Sequence, residues 1–445
     1  MGYDEYRVMR SVSGHAKTGC GVPSAFAFGC PNGRKVLTAD GFHRQGCKKM
    51  RTLICNVNVW CADHFEYGQV GIDGDKIAFL RQMPEEFVPD STIDAQGGWL
   101  LPGIIDCHAH CTMVCGKQHM KDFFASSECE LTLDGAINAE RMVRNGITTI
   151  RDCGGKGFET LAIRDYINAG KLIGPRILCS GTPLKVIGGH EPGVDFTGPY
   201  EARAKVRTFL HEGVDFIKTM VTGGLGKAGE DPGAVEMEQE ELSAIVSEAK
   251  RHGKTVACHC HSREGMELIV EAGASSVDHA TYLDPEINEK LIEKGIYVVP
   301  TFLPYMNYAL LGEENGQLMD TVLAARAIVG EKKRRFSEAY HQGVKVAFGR
   351  DSGGFMMDQG KFVQEMIYME DAGMTPVDII RSATENAADL CGISKETGSI
   401  TPGKSADMVL LDKNPLEDLW AFENNLRCVF MRGQLLHREE GAAHV

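Results

Sequence analysis

The chain has 445 residues, of which 43% are hydrophobic and 24% are charged, a composition typical of a globular protein with one large domain or several small ones. Its formal net charge of −14 argues against nucleic acid or an anionic membrane as the main partner, because both bind basic surfaces. No apolar run approaches the roughly 20 residues that cross a bilayer. Neither nucleic acid nor a membrane is therefore an expected partner.

Residues 1–50 are polar and rich in glycine, and they lack the apolar core of a secretory signal. They predict an irregular N-terminal extension, which could serve as a mobile arm, as a clasp between subunits or as a disordered lead. We expect a homo-oligomer in the cytoplasm.

The 15 cysteines are scattered, with no Cys-x-x-Cys pair among them. In a chain of this length the pattern favours free thiols in a reducing compartment over a disulfide scaffold. A structural zinc between Cys20 and Cys55 is the alternative reading of the first cysteines.

Short β-rich pieces occur near both ends of the chain. They cover residues 53–57 and 69–72 on one side, and residues 407–411, 428–431 and 434–436 on the other. Turn residues separate these pieces, as in hairpins. Residues 51–99 and 399–440 therefore predict one small composite β-sandwich built from both chain ends.

The central block, residues 100–398, alternates apolar strands with helical segments. One helix, over residues 240–250, has apolar residues at helical spacing and ends near Gly253. Eight strands alternating with helices predict an α/β fold, a (β/α)8 TIM barrel whose chemistry lies at the C-terminal strand ends. The predicted strands are 100–107, 148–152, 175–180, 215–221, 255–259, 275–279, 297–302 and 345–350.

Two histidines separated by one residue follow the first of these strands. His108 and His110 share a face because side chains alternate along a strand, and such a pair can form one edge of a metal site. A lysine or aspartate in an apolar strand is costly unless it is paired. A shared metal centre would explain every such residue at the strand ends. The candidate ligands are His108, His110, Lys218, His259, His279 and Asp351.

As a set, these residues and their surrounding strings resemble the amidohydrolase superfamily. The nearest likeness is to the imidazolonepropionase-like branch, which includes Xaa-Pro dipeptidase-type carboxypeptidases and ochratoxin amidase. The resemblance covers residues 52–440 and rests on the strings 100–110, 148–155, 218–224, 259–262, 278–281, 384–388 and 398–407.

The resemblance implies a site with two Zn²⁺ or other divalent ions. His108, His110 and Asp351 would hold one ion, and His259 and His279 would hold the other. Lys218, carboxylated by CO2 to a carbamate, would bridge them. A bridging hydroxide would attack the substrate carbonyl, and Asp351 would pass the hydroxide's proton to the leaving nitrogen.

Three further residues are predicted to bind the substrate. His190 lies in a Gly-Gly-His string after the third strand, and His261 shares a face with His259. Arg350 stands where relatives usually carry threonine, and its guanidinium could bind a substrate carboxylate. Strand alternation gives the opposite expectation for Arg350, since neighbours on a strand point to opposite faces.

The favoured function is a binuclear hydrolase that cuts an amide C–N bond in a small molecule, such as a dipeptide or an N-acyl amino acid. The first alternative is a hydrolase of a cyclic, imidazolone-like amide. A deaminase is disfavoured, because deaminases of the superfamily usually lack the fourth-strand lysine. A hypothesis outside the enzymes is a catalytically inactive barrel that serves as a binding or assembly scaffold. It is disfavoured, because every candidate ligand is retained.

Overall fold

The computed structural model describes residues 50–225 and 230–437. The expectations for the N-terminal extension and its cysteines therefore lie outside the described residues, apart from Met50 at the boundary and Cys55. Within the described ranges, no helix is both long and apolar enough to cross a membrane, and the cysteines are free thiols.

Both ends of the chain contribute to one mixed sheet, as predicted. Its strand order is β17-β16-β15-β5-β1-β2-β3, with β4 paired to β1. The sheet curls, because the edge strand β3 is also hydrogen-bonded to the chain just before β15, where Ile77 N donates to Lys404 O at 2.9 Å. The strands are β1 (Arg51–Trp60), β2 (Phe65–Asp73), β3 (Lys76–Leu80), β4 (Ser91–Asp94), β5 (Trp99–Pro102), β15 (Met408–Leu411), β16 (Leu426–Met431) and β17 (Gln434–His437).

The central block contains two parallel sheets, with orders β6-β7-β8 and β10-β9-β11-β12-β13-β14. Strands β6, β7, β11, β12 and β13 are buried along their whole length, as parallel strands covered on both faces should be. The strands are β6 (Ile104–Ala109), β7 (Ile147–Asp152), β8 (Arg176–Cys179), β9 (Leu184–Val186), β10 (Val194–Phe196), β11 (Ile217–Met220), β12 (Val256–Cys260), β13 (Ser276–His279) and β14 (Tyr297–Val299).

The strand predicted over residues 100–107 is two strands that belong to different sheets. β5 pairs with β1 and β15, whereas β6 pairs with β7. The break falls at Gly103, where a Cβ would lie 2.2 Å from the Thr148 side chain. A glycine there allows the chain to pass close to β7 as it leaves one sheet for the other.

The eighth predicted strand, residues 345–350, is an extended segment without a continuous ladder. It alternates between two neighbours: Ala347 N donates to Val298 O of β14 at 3.0 Å, and Cys107 N of β6 donates to Phe348 O at 2.8 Å. The two parallel sheets are therefore joined through this segment. Gly349 permits the approach, because a Cβ there would lie 2.9 Å from the backbone nitrogen of His108.

Helices follow most of the parallel strands, and the helix predicted over residues 240–250 is confirmed as α5. It starts at a capping box formed by Glu238 and Glu241. The helices are α1 (His119–Ala125), α2 (Glu128–Arg144), α3 (Glu159–Asn168), α4 (Gly198–Glu212), α5 (Gln239–Arg251), α6 (Arg263–Ala272), α7 (Pro285–Lys294), α8 (Phe302–Leu311), α9 (Met319–Gln342), α10 (Val363–Asp371), α11 (Pro376–Ser382), α12 (Glu385–Leu390) and α13 (Ala421–Asn424).

Candidate metal centre

All six predicted ligands line one pocket at the C-terminal ends of the parallel strands. The chain reaches the pocket from five directions, because each of β6, β11, β12 and β13 ends there and the extended segment 345–350 runs into it. The parallel arrangement thus brings together residues that are up to 243 positions apart in sequence. The residues are His108, His110, Lys218, His259, His279 and Asp351.

Three of these side chains lie close enough to share one cation. Asp351 Oδ1 is 3.1 Å from His110 Nε2 and 3.5 Å from His108 Nε2, and one ligand atom from each of the three residues lies within 4.8 Å of the others. Burial would raise the pKa of Asp351, but His108 and His110 outweigh that effect and hold the pKa below its usual range. The carboxylate is therefore anionic at neutral pH.

Hydrogen bonds to the remaining ring nitrogens fix how three of the imidazoles are turned. His110 Nδ1 lies 2.7 Å from Gly154 O, His279 Nδ1 lies 2.6 Å from Thr301 Oγ1, and His259 Nε2 lies 3.2 Å from Gly223 O. The other nitrogen of each ring can therefore bind a metal ion. Partners of this kind set the tautomer and orientation of metal-binding histidines.

Most of the imidazoles are held neutral, which is the form that binds a metal. Burial lowers the pKa of His108, and the nearby Lys218 lowers it further. Burial also holds the pKa of His259 and of His279 well below the usual value, reinforced by the neighbouring histidines. The rings of His259 and His279 have centroids 4.4 Å apart, so the second predicted ligand pair is also assembled.

A buried carboxylate, Asp278, lies directly beneath these ligands. Its Oδ2 is 2.5 Å from Lys218 Nζ and 3.1 Å from His108 Nδ1, while its Oδ1 accepts hydrogen bonds from Arg151 and Ser276. Burial would raise the pKa of Asp278, but Lys218 and Arg151 hold it well below the usual value. Two cations thus offset one fully buried anion, as burial of charge requires.

The backbone is strained at the same place. Asp351, His279 and Thr301 adopt positive φ angles of 57°, 73° and 47°. Side chains other than glycine reach this region only at a cost, and such residues cluster at functional sites. Here the residues with positive φ are two candidate ligands, Asp351 and His279, and Thr301, which contacts His279.

Of the three residues predicted to bind substrate, His190 lines the pocket. Its ring stacks on that of His259 at a centroid distance of 4.3 Å, and its Nδ1 lies 2.5 Å from Glu230 Oε1. A Cβ on Gly224 would lie 2.5 Å from the His190 ring. The ring is therefore held against a candidate ligand at the edge of the pocket.

His261, the second residue predicted to bind substrate, is not among the described residues that line the pocket. Its side chain is fully buried, and its ring contacts the rings of His259 and His279. Each of its two ring nitrogens also has a hydrogen-bonding partner. His261 Nδ1 lies 2.7 Å from Thr281 Oγ1, and Nε2 lies 3.0 Å from the Tyr305 hydroxyl. It supports Tyr305, which does line the pocket.

The position of Arg350 agrees with the expectation from strand alternation and not with a side chain that faces the pocket. The side chain points away from the face of Asp351 and is fully buried. Its Nε donates to Asp106 Oδ2 at 2.7 Å, and its other nitrogens donate to the backbone oxygens of residues 358, 359 and 361. Arg350 fastens the loop after the extended segment to β6.

Sequence reasoning missed several residues that hold the site together. The sequence could have indicated Arg151 and Asp278, because each is a charged residue inside an apolar strand. The same argument singled out Lys218. Thr301 gave no such signal, since it lies beside a helix whose distance from the site is not readable in the sequence.

Neutral imidazoles and a carboxylate that converge at the ends of parallel strands define a metal-dependent hydrolase centre. Residues 99–436 match the model of the amidohydrolase family, and the chain belongs to that family. It is a hydrolase that acts on carbon–nitrogen bonds and carries a His-His-Asp metal-binding group. The predicted family is thereby confirmed.

Individual relatives agree with this assignment. Ochratoxinase from Aspergillus niger is 29% identical over 383 residues, which cover 78% of this chain and 78% of that protein. Imidazolonepropionase from Shouchella clausii is 24% identical and covers 78% of this chain and 80% of its own length. A solved Xaa-Pro dipeptidase with methionine bound in its active site is 31% identical, with a TM-score of 0.79, covering 87% of this chain and 100% of its own.

Replacing Arg350 should destabilise the protein and leave substrate selectivity unchanged. Arg350→Met would leave the Asp106 carboxylate buried without its partner, a change that typically costs about 3–5 kcal/mol. Thermal unfolding of Arg350→Met, compared with Arg350→Met/Asp106→Asn, should show partial recovery in the double variant. A stable single variant that loses only carboxylate-bearing substrates would return Arg350 to the pocket.

Proposed function

We propose that this protein is a binuclear metal-dependent hydrolase that cleaves the amide C–N bond of a dipeptide or an N-acyl amino acid. The observation that carries the proposal is the convergence of the six ligand-type side chains on one pocket. The similarity to a dipeptidase that holds an amino acid in its active site supports the substrate class.

The proposal includes a closed (β/α)8 barrel as the scaffold. The two parallel sheets, the helices that follow their strands and the extended segment that joins β14 to β6 all support it. In such barrels the catalytic groups lie at the C-terminal ends of several strands, which is where the candidate ligands occur.

The residues fit two divalent ions. His108, His110 and Asp351 would hold one, and His259 and His279 the other. Lys218, which is paired with Asp278 in its uncarboxylated form, would supply oxygen ligands once CO2 converts it to a carbamate. Bound there, two ions would supply a water nucleophile at neutral pH and polarise the scissile carbonyl. Soft thiolates are absent from this ligand set, and imidazole with carboxylate suits zinc and similar ions.

Asp351 is the candidate acid–base group. Its side chain is 21% exposed, compared with 2% for the neighbouring His108, so it is the more accessible of the two to a substrate. As an anion at neutral pH it can take a proton from the attacking water and deliver that proton to the leaving nitrogen. His190, which lines the pocket, would donate a hydrogen bond to the substrate carbonyl or carboxylate.

Metal content is the first test. The purified protein should carry about two divalent ions per chain, and chelation should abolish hydrolysis of N-acyl amino acids. His108→Ala and His279→Ala should each lose metal and most activity, whereas the matched control His211→Ala, at an exposed position of α4, should keep both. Full turnover in a metal-free preparation would contradict the proposal.

Asp351→Asn should lower kcat by about 10²–10⁴-fold, the usual contribution of a positioned acid–base group. Because Asp351 is also a candidate ligand, metal content must be measured on the same sample. Asp320→Asn, an exposed aspartate at the start of α9, serves as the control. Turnover of Asp351→Asn within about threefold of wild type would show that the proton moves by another route.

Lys218 should carry added CO2 in the metal-loaded protein, visible as a carbamate carbon by NMR with ¹³C-bicarbonate. Lys218→Ala should lose metal and regain part of both metal and activity with short carboxylic acids, which replace the bridging carboxylate. An unmodified Lys218 in an active protein with two ions bound would rule out this role.

A further inference from the structure

Two cysteines from distant parts of the chain meet between β6 and α12. The sulfur of Cys107 lies 3.8 Å from the sulfur of Cys391, although the two residues are 284 positions apart in sequence. Both are free thiols, and theirs is the only sulfur–sulfur hydrogen bond in the part of the chain that the structure describes. Neither residue is among the described residues that line the pocket, so the proposed hydrolysis does not account for the pair.

The two thiols differ in their access to solvent. Cys107 is fully buried in β6, whereas Cys391 follows the last residue of α12 and is partly exposed. Gly392, the next residue, is exposed. The chain around Cys391 is therefore open to solvent, and a small oxidant meets Cys391 before Cys107.

The surroundings of Cys391 also favour its thiolate, which is the form that attacks an oxidant. The hydrogen bond with Cys107 lowers the pKa of Cys391, and the nearby Arg151 lowers it further, which together outweigh the opposite effect of burial. Exposure and electrostatics thus agree that Cys391 is the attacking thiol and Cys107 the thiol that resolves the product.

Closing the pair requires only a small movement. A disulfide holds its sulfurs about 2.05 Å apart, so the two sulfurs must approach by about 1.8 Å from their separation of 3.8 Å. The backbone of Cys107 is held on both sides, because its nitrogen donates to Phe348 O at 2.8 Å and its oxygen accepts from Arg151 Nε at 2.6 Å. The approach is therefore made by Cys391 and the end of α12.

We propose that Cys107 and Cys391 are a modification site, at which a hydroperoxide oxidises the two thiols to a disulfide that links β6 to the end of α12. The link encloses every strand of the two parallel sheets that follows β6. A disulfide across so long a loop restricts the unfolded chain and so stabilises the folded state. The inference is independent of the proposed function, since neither a metal ion nor a substrate takes part.

The reaction takes two steps and consumes one molecule of hydrogen peroxide. First, the Cys391 sulfur attacks a peroxide oxygen and the O–O bond breaks, which leaves Cys391 as a sulfenic acid and releases hydroxide, which becomes water with the proton of the Cys391 thiol. Second, the Cys107 sulfur attacks the sulfenic sulfur, an S–S bond forms, and the S–O bond breaks. The hydroxyl leaves as water with the Cys107 proton, so two thiols are oxidised and the peroxide is reduced to water.

The test treats the folded, reduced protein with hydrogen peroxide and maps its thiols. After the remaining thiols are blocked with N-ethylmaleimide, trypsin should release peptides 82–117 and 382–395 as one linked pair from wild type. The unfolded chain should also migrate faster in non-reducing electrophoresis, because the linked loop keeps it compact, and dithiothreitol should reverse both changes. Cys391→Ser and Cys107→Ala should show neither change. The matched control, Cys129→Ser, removes an exposed thiol on α2 and should behave as wild type.

The oxidised wild type should unfold at a temperature roughly 3–6 °C above that of the reduced protein, and Cys391→Ser should show no such rise. Peroxide also oxidises exposed methionines, but that effect is common to all variants and cancels in the comparison.

Oxidation of Cys391 to a sulfinic acid without a linked peptide would overturn the inference. A link through Cys111 or Cys115, which lie in the same peptide as Cys107, would overturn it as well, and Cys107→Ala would reveal such a link. A disulfide that leaves the unfolding temperature unchanged would overturn its stabilising role. Failure of the proposed function is a separate result, because it is judged from the metal content and turnover of the reduced protein.

Discussion

The buried carboxylate of Asp278 is the interaction on which the site depends. It comes from β13 and meets Lys218 from β11, Arg151 from β7 and His108 from β6. A fully buried carboxylate is tolerated only when cations and donors surround it, and those partners become costly in turn if the anion is removed. Four strands are therefore held in register at the level where the candidate ligands leave them.

A second pair of buried titratable residues, Glu365 and Lys332, supports the part of the pocket near α8. Glu365 accepts hydrogen bonds from the backbone nitrogens of Phe302 and Leu303, at the start of α8, and Lys332 donates to the backbone oxygen of His279. Burial lowers the pKa of Lys332 to about 7 and raises that of Glu365 to about 8. Both residues act on backbone atoms, so they set where α8 and the turn after β13 lie.

The sequence predicts that the candidate ligands meet at the ends of parallel strands, because the strand ends follow from local patterns. Alternation places His108 and His110 together, and charges in apolar strands mark Lys218 and Asp351. The sequence does not predict that Gly103 packs against β7 or that Gly349 packs against β6, since the residues in these contacts are far apart in the chain. Arg350 shows the same limit: alternation gave the correct face, but its partner, Asp106, lies 244 positions away.

The helix α8 joins two properties that an enzyme could otherwise vary separately. Thr301, immediately before it, contacts the candidate ligand His279, and the helix itself carries Tyr305 and Tyr308 on the pocket wall. A change in this helix that reshapes the wall therefore also disturbs the ligand. The part of the pocket wall that α1 forms is not linked to the ligands in this way, because none of the hydrogen bonds described for α1 involves a candidate ligand's side chain. Divergence to new substrates, natural or engineered, should therefore proceed more readily through α1.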